Sequence, residues 1–180
     1  TYVDSLDALL QGALYVSARG GGTCNTEFEF LTGSSLGMIG GGVYPYMYYD
    51  LSGAESLPRL FNALGYTSTA IHPCAASNWR RDVVYDELGF TSFLSESYFG
   101  DNVATLRDKI RDSETYAAVL DVLAQDGPQF VFDVTYMGHG GYTTGLLDSY
   151  PYDSVTVNGE TIEGMSEYLS VIDAAEVDLA

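Results

Sequence analysis

The chain has 180 residues, 46% of them hydrophobic, and a formal net charge of −18 at pH 7. This length fits one domain with a sizeable core, and the hydrophobic content excludes a disordered segment. The negative charge excludes non-specific binding to nucleic acid or to an anionic membrane surface. Because the chain holds only seven basic residues, an anionic ligand must be met by one of these few cations, by a helix N-terminus or by a metal ion.

Hydrophobic periodicity predicts helices alternating with buried strands. The chain opens with a predicted helix over Asp4–Gln11 and a strand over Ala13–Ser17, followed by a helix from Thr23 to near Gly33 and a long loop over Ser34–Tyr49. Further helices are predicted over Ser56–Leu64, Asp82–Leu88, Ser113–Gln125 and Glu163–Val177, and strands over Thr67–Ile71, Thr91–Leu94 and Phe130–Thr135. This alternation indicates an α/β fold with a largely parallel sheet flanked by helices, in one domain over residues 1–180.

Three glycines, Gly20 to Gly22, lead to Thr23 at the start of the predicted second helix. A hydroxyl there lies among unpaired N–H groups at the positive end of the helix dipole, where a phosphate or sulfate group can be held. The next residues supply predicted N-cap chemistry and then carboxylates: Asn25, Thr26, Glu27 and Glu29. Alone, such a segment more often belongs to an ordinary loop before a capped helix.

Both histidines follow predicted strands, and ligands of parallel sheets bind beyond the carboxyl ends of the strands. His72 comes directly after Thr67–Ile71, and His139 comes shortly after Phe130–Thr135. The only tryptophan, Trp79, and the pair Arg80-Arg81 follow His72. Each of these residues alone fits ordinary packing or surface chemistry. Their joint placement on loops that should converge on Thr23 favours a functional site.

The segment Gly21-Gly22-Thr23-Cys24-Asn25-Thr26-Glu27-Phe28 resembles the nucleophile segment of the lipoteichoic acid synthase and phosphoglycerol transferase family, within the alkaline phosphatase and sulfatase superfamily. The resemblance continues in order along nearly the whole chain. It includes the helix Asp4–Leu9, the block from His72 through Trp79-Arg80-Arg81-Asp82, and the turn Thr135-Tyr136-Met137-Gly138-His139. It implies an alkaline phosphatase and sulfatase-like core.

The resemblance also implies roles for single residues. Thr23 matches the nucleophile that takes up glycerol phosphate and is a metal ligand, whereas Arg80 is expected to be a neighbour of the site only. His72, Trp79, Arg81 and His139 match residues that bind the phosphoglycerol substrate. The implied cofactor is a divalent metal ion, Mn²⁺ or Mg²⁺. A metal suits a threonine nucleophile, because the hydroxyl is weak until its pKa is lowered.

Two metal-binding elements of the family have no counterpart in this sequence: a carboxylate on a strand before the nucleophile and a later Asp-His pair. The resemblance therefore implies a central fragment of a catalytic domain, truncated at both ends, with most metal ligands outside it. We expect no metal-dependent turnover by this chain alone. Unpaired strand edges would favour self-association.

The expected function is transfer of glycerol phosphate from a lipid donor to a growing polymer or glycan, on the extracellular face of the membrane and by a membrane-anchored parent. The alternatives are a sulfatase or phosphoesterase of the same superfamily, or a non-catalytic module that binds an anion. Cys24 and Cys74 are both expected beside the pocket. A disulfide between them and two free thiols are equally compatible with the sequence.

Overall fold

A three-stranded parallel sheet organises the computed structural model, which describes residues 13, 15–18, 20–40, 42–147 and 155–180. The strands are β1 (Thr67–Ile71), β2 (Ser92–Leu94), β3 (Thr105–Leu106), β4 (Lys109–Ile110), β5 (Gln129–Asp133), β6 (Thr156–Val157) and β7 (Glu160–Thr161). In the sheet β1 lies between β2 and β5, and Ile71 pairs with both Leu94 and Asp133. The carboxyl ends of the three strands are therefore level, which confirms the predicted parallel sheet.

Helices surround this sheet. They are α1 (Thr23–Thr32), α2 (Pro45–Tyr48), α3 (Leu57–Ala63), α4 (Arg81–Glu87), α5 (Glu96–Phe99), α6 (Asp112–Leu123) and α7 (Met165–Leu179), with 3₁₀ turns at Leu36–Met38 and Asn78–Arg80. The structure explains where two of the predicted helices begin and end. The Ser56 hydroxyl accepts a hydrogen bond from the Arg59 amide at the start of α3, and Gly33 ends α1 with a φ of 66°.

The core lies between the sheet, α1 and α4. Its fully buried members include Leu31 of α1, Val84 and Tyr85 of α4, and Tyr46 of α2. Phenylalanines from β5 and the loop before β2 stack against one another, with 6.2 Å between the ring centroids of Phe90 and Phe130. This packing fixes α1 and α4 to the same side of the sheet, which brings their first residues together.

Several predictions about local structure are wrong. The described residues between Ala13 and Ser17 form no strand, and Tyr15 is 93% exposed, so this apolar run is not the buried strand that was predicted. The predicted loop Ser34–Tyr49 holds the first 3₁₀ turn and α2. The sequence pattern also missed α5 and the hairpins β3–β4 and β6–β7, whose two-residue strands are too short to show alternation.

The helix predicted over Asp4–Gln11 lies outside the described residues. Among the helices that are described, none has both the length and the apolar character required to cross a membrane.

Candidate active site

The glycine loop and α1 position Thr23. Gly20, Gly21 and Gly22 all have positive φ, at 71°, 116° and 78°, so the loop needs glycine at each position. A β-carbon on Gly22 would also lie 2.8 Å from the Tyr44 ring. The helix begins at Thr23 with Gly22 as an N-cap that offers no side-chain hydrogen bond. The prediction that Asn25 and Thr26 cap the helix is therefore wrong, because both lie inside its first turn.

One cavity of about 280 Å³ brings the predicted site residues together. It lies beyond the carboxyl ends of β1 and β5, where a parallel sheet is expected to bind its ligand. All five predicted residues line it, namely Thr23, His72, Trp79, Arg81 and His139, together with Asn78 and the segment from Val134 to Tyr136. Arg80 is not part of this lining, because its guanidinium donates to the Tyr46 carbonyl at 2.9 Å.

Arg81 is buried and paired, which the sequence did not predict. Its Nε donates to Oε2 of Glu27 at 3.1 Å, its Nη2 donates to Oε1 of the same carboxylate, and its Nη1 donates to the Asn78 carbonyl at 3.3 Å. Burial alone would lower the pKa of Arg81, but the hydrogen bonds and charge of Glu27 outweigh it and raise that pKa. Three of the five guanidinium N–H groups are thereby used, which leaves two for a ligand.

His72 is buried and its tautomer is set by the backbone. Nδ1 lies 2.7 Å from the Val134 carbonyl oxygen, which can only accept, so Nδ1 carries the proton. Burial, and then the charge of Arg81, lower the pKa of His72 below its usual value. The neutral ring therefore has Nε2 as an acceptor, which suits a ligand hydroxyl better than a phosphate oxygen.

His139 is held on its loop by Arg107, a residue that the motifs did not single out. The guanidinium of Arg107 donates to the carbonyls of Met137, His139 and Gly141 at 3.0, 3.0 and 2.8 Å. Glu167 accepts from the same guanidinium at 3.1 Å. In an acidic chain with seven basic residues, a fully buried arginine is a signal of such a positioning role.

Tyr136 lines the cavity beside both histidines, and Tyr44 packs behind Trp79 without lining it. The ring of Tyr136 lies 5.6 Å from that of His72 and 4.8 Å from that of His139, between centroids. Tyr44 packs 4.8 Å from Trp79. Trp79 itself has a left-handed backbone, with φ of 55°, and such strain at a non-glycine residue is typical of a functional site.

The two cysteines form no disulfide in the structure. Cys24 is fully buried, and burial, followed by the charge of Glu27, raises the pKa of its thiol to about 12. Cys74 accepts a hydrogen bond from the Asn78 amide at 2.9 Å. Neither thiol lines the cavity, so both are packing groups behind it.

The described residues contain no group of three or more histidine, cysteine or carboxylate side chains that could hold a metal ion. Thr23 supplies a single oxygen, which does not make a site. In its described part, the chain therefore does not fit a resident metal by itself.

A parallel sheet with a threonine at a helix N-terminus, facing two histidines and an arginine, defines an α/β protein with its candidate site beyond the carboxyl ends of the strands. The sulfatase family model matches residues 3–175, and the chain belongs to this family. A Rhizobium meliloti protein named for cyclic beta-1,2-glucan modification is 32% identical over 166 residues, which cover 89% of this chain and 25% of that protein. The chain thus spans about a quarter of that relative's length.

Two solved structures share the fold, each with a TM-score of 0.73. The lipoteichoic acid synthase LtaP from Listeria monocytogenes is 17% identical and is matched over 99% of this chain and 44% of its own. The Streptococcus pyogenes phosphoglycerol transferase GacH, solved with sn-glycerol-1-phosphate, is 22% identical and is matched over 91% of this chain and 44% of its own. The family resemblance and the fold class that the sequence predicted are confirmed.

Proposed function

We propose that the chain is part of the catalytic domain of a phosphoglycerol transferase that works on the extracellular side of a membrane-anchored parent. It would move glycerol phosphate from a lipid donor to a polymer or glycan. The convergence of Thr23, His72, Trp79, Arg81 and His139 on one cavity carries this proposal. The glycerol phosphate bound by the streptococcal relative supports the same substrate.

Thr23 is the proposed nucleophile, and the transfer has two balanced steps. The Thr23 oxygen forms a bond to phosphorus while the bond from phosphorus to the lipid oxygen breaks, and the hydroxyl proton ends on that lipid oxygen. An acceptor hydroxyl then attacks phosphorus, the bond to Thr23 breaks, and the acceptor's proton returns to the Thr23 oxygen. His139, exposed at the cavity mouth, is the proposed carrier of these protons, since one imidazole nitrogen can accept a proton while the other donates one.

The other cavity residues have proposed binding roles. The two free N–H groups of Arg81 would donate to phosphate oxygens, as charge-assisted hydrogen bonds. Nε2 of neutral His72 would accept from a glycerol hydroxyl, and Trp79 would form an apolar wall for the glycerol carbons.

The test is detection of the covalent intermediate in the full-length parent protein. After incubation with phosphatidylglycerol, peptide mass spectrometry should find phosphoglycerol on Thr23. The Thr23→Ala variant should lose the adduct, and Thr26→Ala is the matched control, since Thr26 lies on the same helix but outside the cavity lining. Binding of glycerol phosphate without any adduct would instead indicate a non-catalytic anion-binding module.

A further inference from the structure

Lys109 is the only lysine of the chain, and its side chain lies beside the active-site cavity. The ammonium nitrogen is 5.9 Å from the ring centroid of Tyr136, a cavity residue that contacts both His72 and His139. A cation over an aromatic ring is attracted only weakly where water reaches it, and Lys109 is half-buried. Because lysine has a flexible four-carbon stem, the ammonium can leave this ring without any movement of the backbone.

The β3–β4 hairpin holds Lys109 in this place. The two turn residues, Arg107 and Asp108, have positive φ, at 51° and 59°, which suits a two-residue hairpin but is strained at residues other than glycine. The buried guanidinium of Arg107 attaches the hairpin to the loop that carries His139. The hairpin therefore presents two cations to one loop. The first binds the loop backbone, and the second lies over the ring of Tyr136.

Lys109 differs from the described arginines in having no polar partner. All five of those arginines donate to carbonyl or carboxylate oxygens, namely Arg59, Arg80, Arg81, Arg107 and Arg111. In the described part of the chain, the Lys109 ammonium has neither a hydrogen bond nor an ion pair, and its directed contact is the Tyr136 ring. Its three N–H donors are therefore available to a ligand.

The described wall of the cavity has no net positive charge to offer a phosphate group. Arg81 is the one described lining residue with a fixed charge, and the carboxylate of Glu27 balances that charge in a buried pair. Burial lowers the pKa of His72, which favours its neutral form. An anion would also have to approach a chain with a net charge of −18. A further cation beside the cavity therefore favours binding.

We propose that Lys109 is an anion-binding residue of the active-site cavity and pairs with the phosphate group of the bound ligand. The ammonium leaves the Tyr136 ring and donates to a phosphate oxygen that Arg81 leaves unpaired. A charge-assisted hydrogen bond to phosphate is stronger than a cation–π contact beside water, so this exchange is favourable. The inference rests on the proposed function only for the identity of the ligand as glycerol phosphate.

Two single-residue NMR signals test this inference, because the chain contains one lysine and one tryptophan. Isotope-labelled lysine reports on Lys109, and the indole N–H of Trp79 reports occupation of the cavity. The probes are glycerol phosphate, inorganic phosphate and uncharged glycerol. With glycerol phosphate, both signals should move along one saturation curve, and the Lys109 methylene protons should lose the ring-current shift of Tyr136. A Lys109 signal that stays unchanged while the Trp79 signal saturates would overturn the proposal, as would an equal response of Lys109 to glycerol.

Three variants separate a local contact from a general effect of charge, with affinity measured by calorimetry. Lys109→Gln should weaken glycerol phosphate binding about fivefold, as for one partly exposed charge pair, and this loss should shrink in high salt. Arg59→Gln changes the net charge equally and is the matched control, since the Arg59 guanidinium donates to the carbonyls of Ser52 and Glu87. Lys109→Arg keeps the charge and should retain most of the affinity. Equal affinities of Lys109→Gln and Arg59→Gln would overturn the proposal.

The probes also separate this inference from the proposed function. If inorganic phosphate moves the Lys109 signal and glycerol phosphate binds no more tightly, the anion-binding role holds and the preference for phosphoglycerol fails. If glycerol phosphate moves the Trp79 signal alone, the transferase proposal stands and Lys109 is only a neighbour of the cavity. If neither signal responds to any probe, both proposals fail.

Discussion

Glu27 on α1 and Arg81 on α4 form a buried two-point ion pair across 54 positions of the chain. Tyr85 donates to the same carboxylate at 3.0 Å. Thr23 and Glu27 are four residues apart and therefore lie on one face of α1. The carboxylate thus connects the helix that presents the proposed nucleophile to the arginine of the active-site cavity.

Replacing Glu27 by glutamine should be strongly destabilising. Because both side chains of the pair are 3% exposed, the substitution leaves a buried charge without its partner, at a cost of about 3–5 kcal/mol in the free energy of unfolding. Chemical denaturation measures this. The comparison is Asp178→Asn at the pair with Arg111, where the arginine side chain is 29% exposed, and there we expect on the order of 1 kcal/mol. Equal losses of unfolding free energy in the two variants would show that the buried Glu27–Arg81 pair is no more important for stability than the partly exposed pair.

Removal of the hydroxyl should affect stability differently at the two buried tyrosines beside this pair. Tyr85→Phe removes the hydrogen bond to Glu27 and should cost about 1–2 kcal/mol of unfolding free energy. Tyr46 is fully buried, but its hydroxyl has no partner among the described residues. Tyr46→Phe should therefore leave stability unchanged or raise it. Thermal and denaturant unfolding of the two variants decide this, and a destabilised Tyr46→Phe would show that its hydroxyl is bonded.

Arg107 should control the order of the His139 loop. Arg107→Gln removes the charge that pairs with Glu167 and most of the donors to the three carbonyls of that loop. Amide hydrogen exchange at His139, whose N–H bonds the Tyr136 carbonyl at 2.9 Å, should become at least tenfold faster. Arg59→Gln serves as the control, since the Arg59 guanidinium donates to the carbonyls of Ser52 and Glu87 instead. Unchanged exchange would mean that the loop keeps its shape without Arg107.

The contribution of Asp133 to the free energy of unfolding should be more favourable in acid than at neutral pH. Burial raises the pKa of Asp133 from 3.8 to about 6 in the folded chain. The folded state therefore binds a proton more tightly than the unfolded state, and stability from this group rises as pH falls from about 6 towards 3.8. Asp133→Asn should accordingly stabilise the chain at pH 8, with an advantage that shrinks towards pH 4. Unfolding curves across this pH range test the prediction. A stability advantage of Asp133→Asn that grows in acid would contradict a raised pKa of Asp133 in the folded chain. The exposed Asp126→Asn is the control.

The elements of the parallel sheet could be predicted because their ends depend on local signals, whereas the set of five cavity residues was implied by the family resemblance. Strand ends, glycines with positive φ and a helix stop at Gly33 are all encoded within a few residues. The partners of Arg81 and His139 were missed because they are distant in the chain. Glu27 looked like a carboxylate of a first helical turn, and no pattern joined Arg107 to a loop 30 or more positions away.

The pairing of β1 with β5 connects Thr67 to Gln129, and the segment between them contains α4 and β2. His72 and Val134 come together only when this distant pairing has formed. The closure of so long a loop slows folding. A ligand of the active-site cavity should therefore bind only chains in which β1 and β5 have already paired.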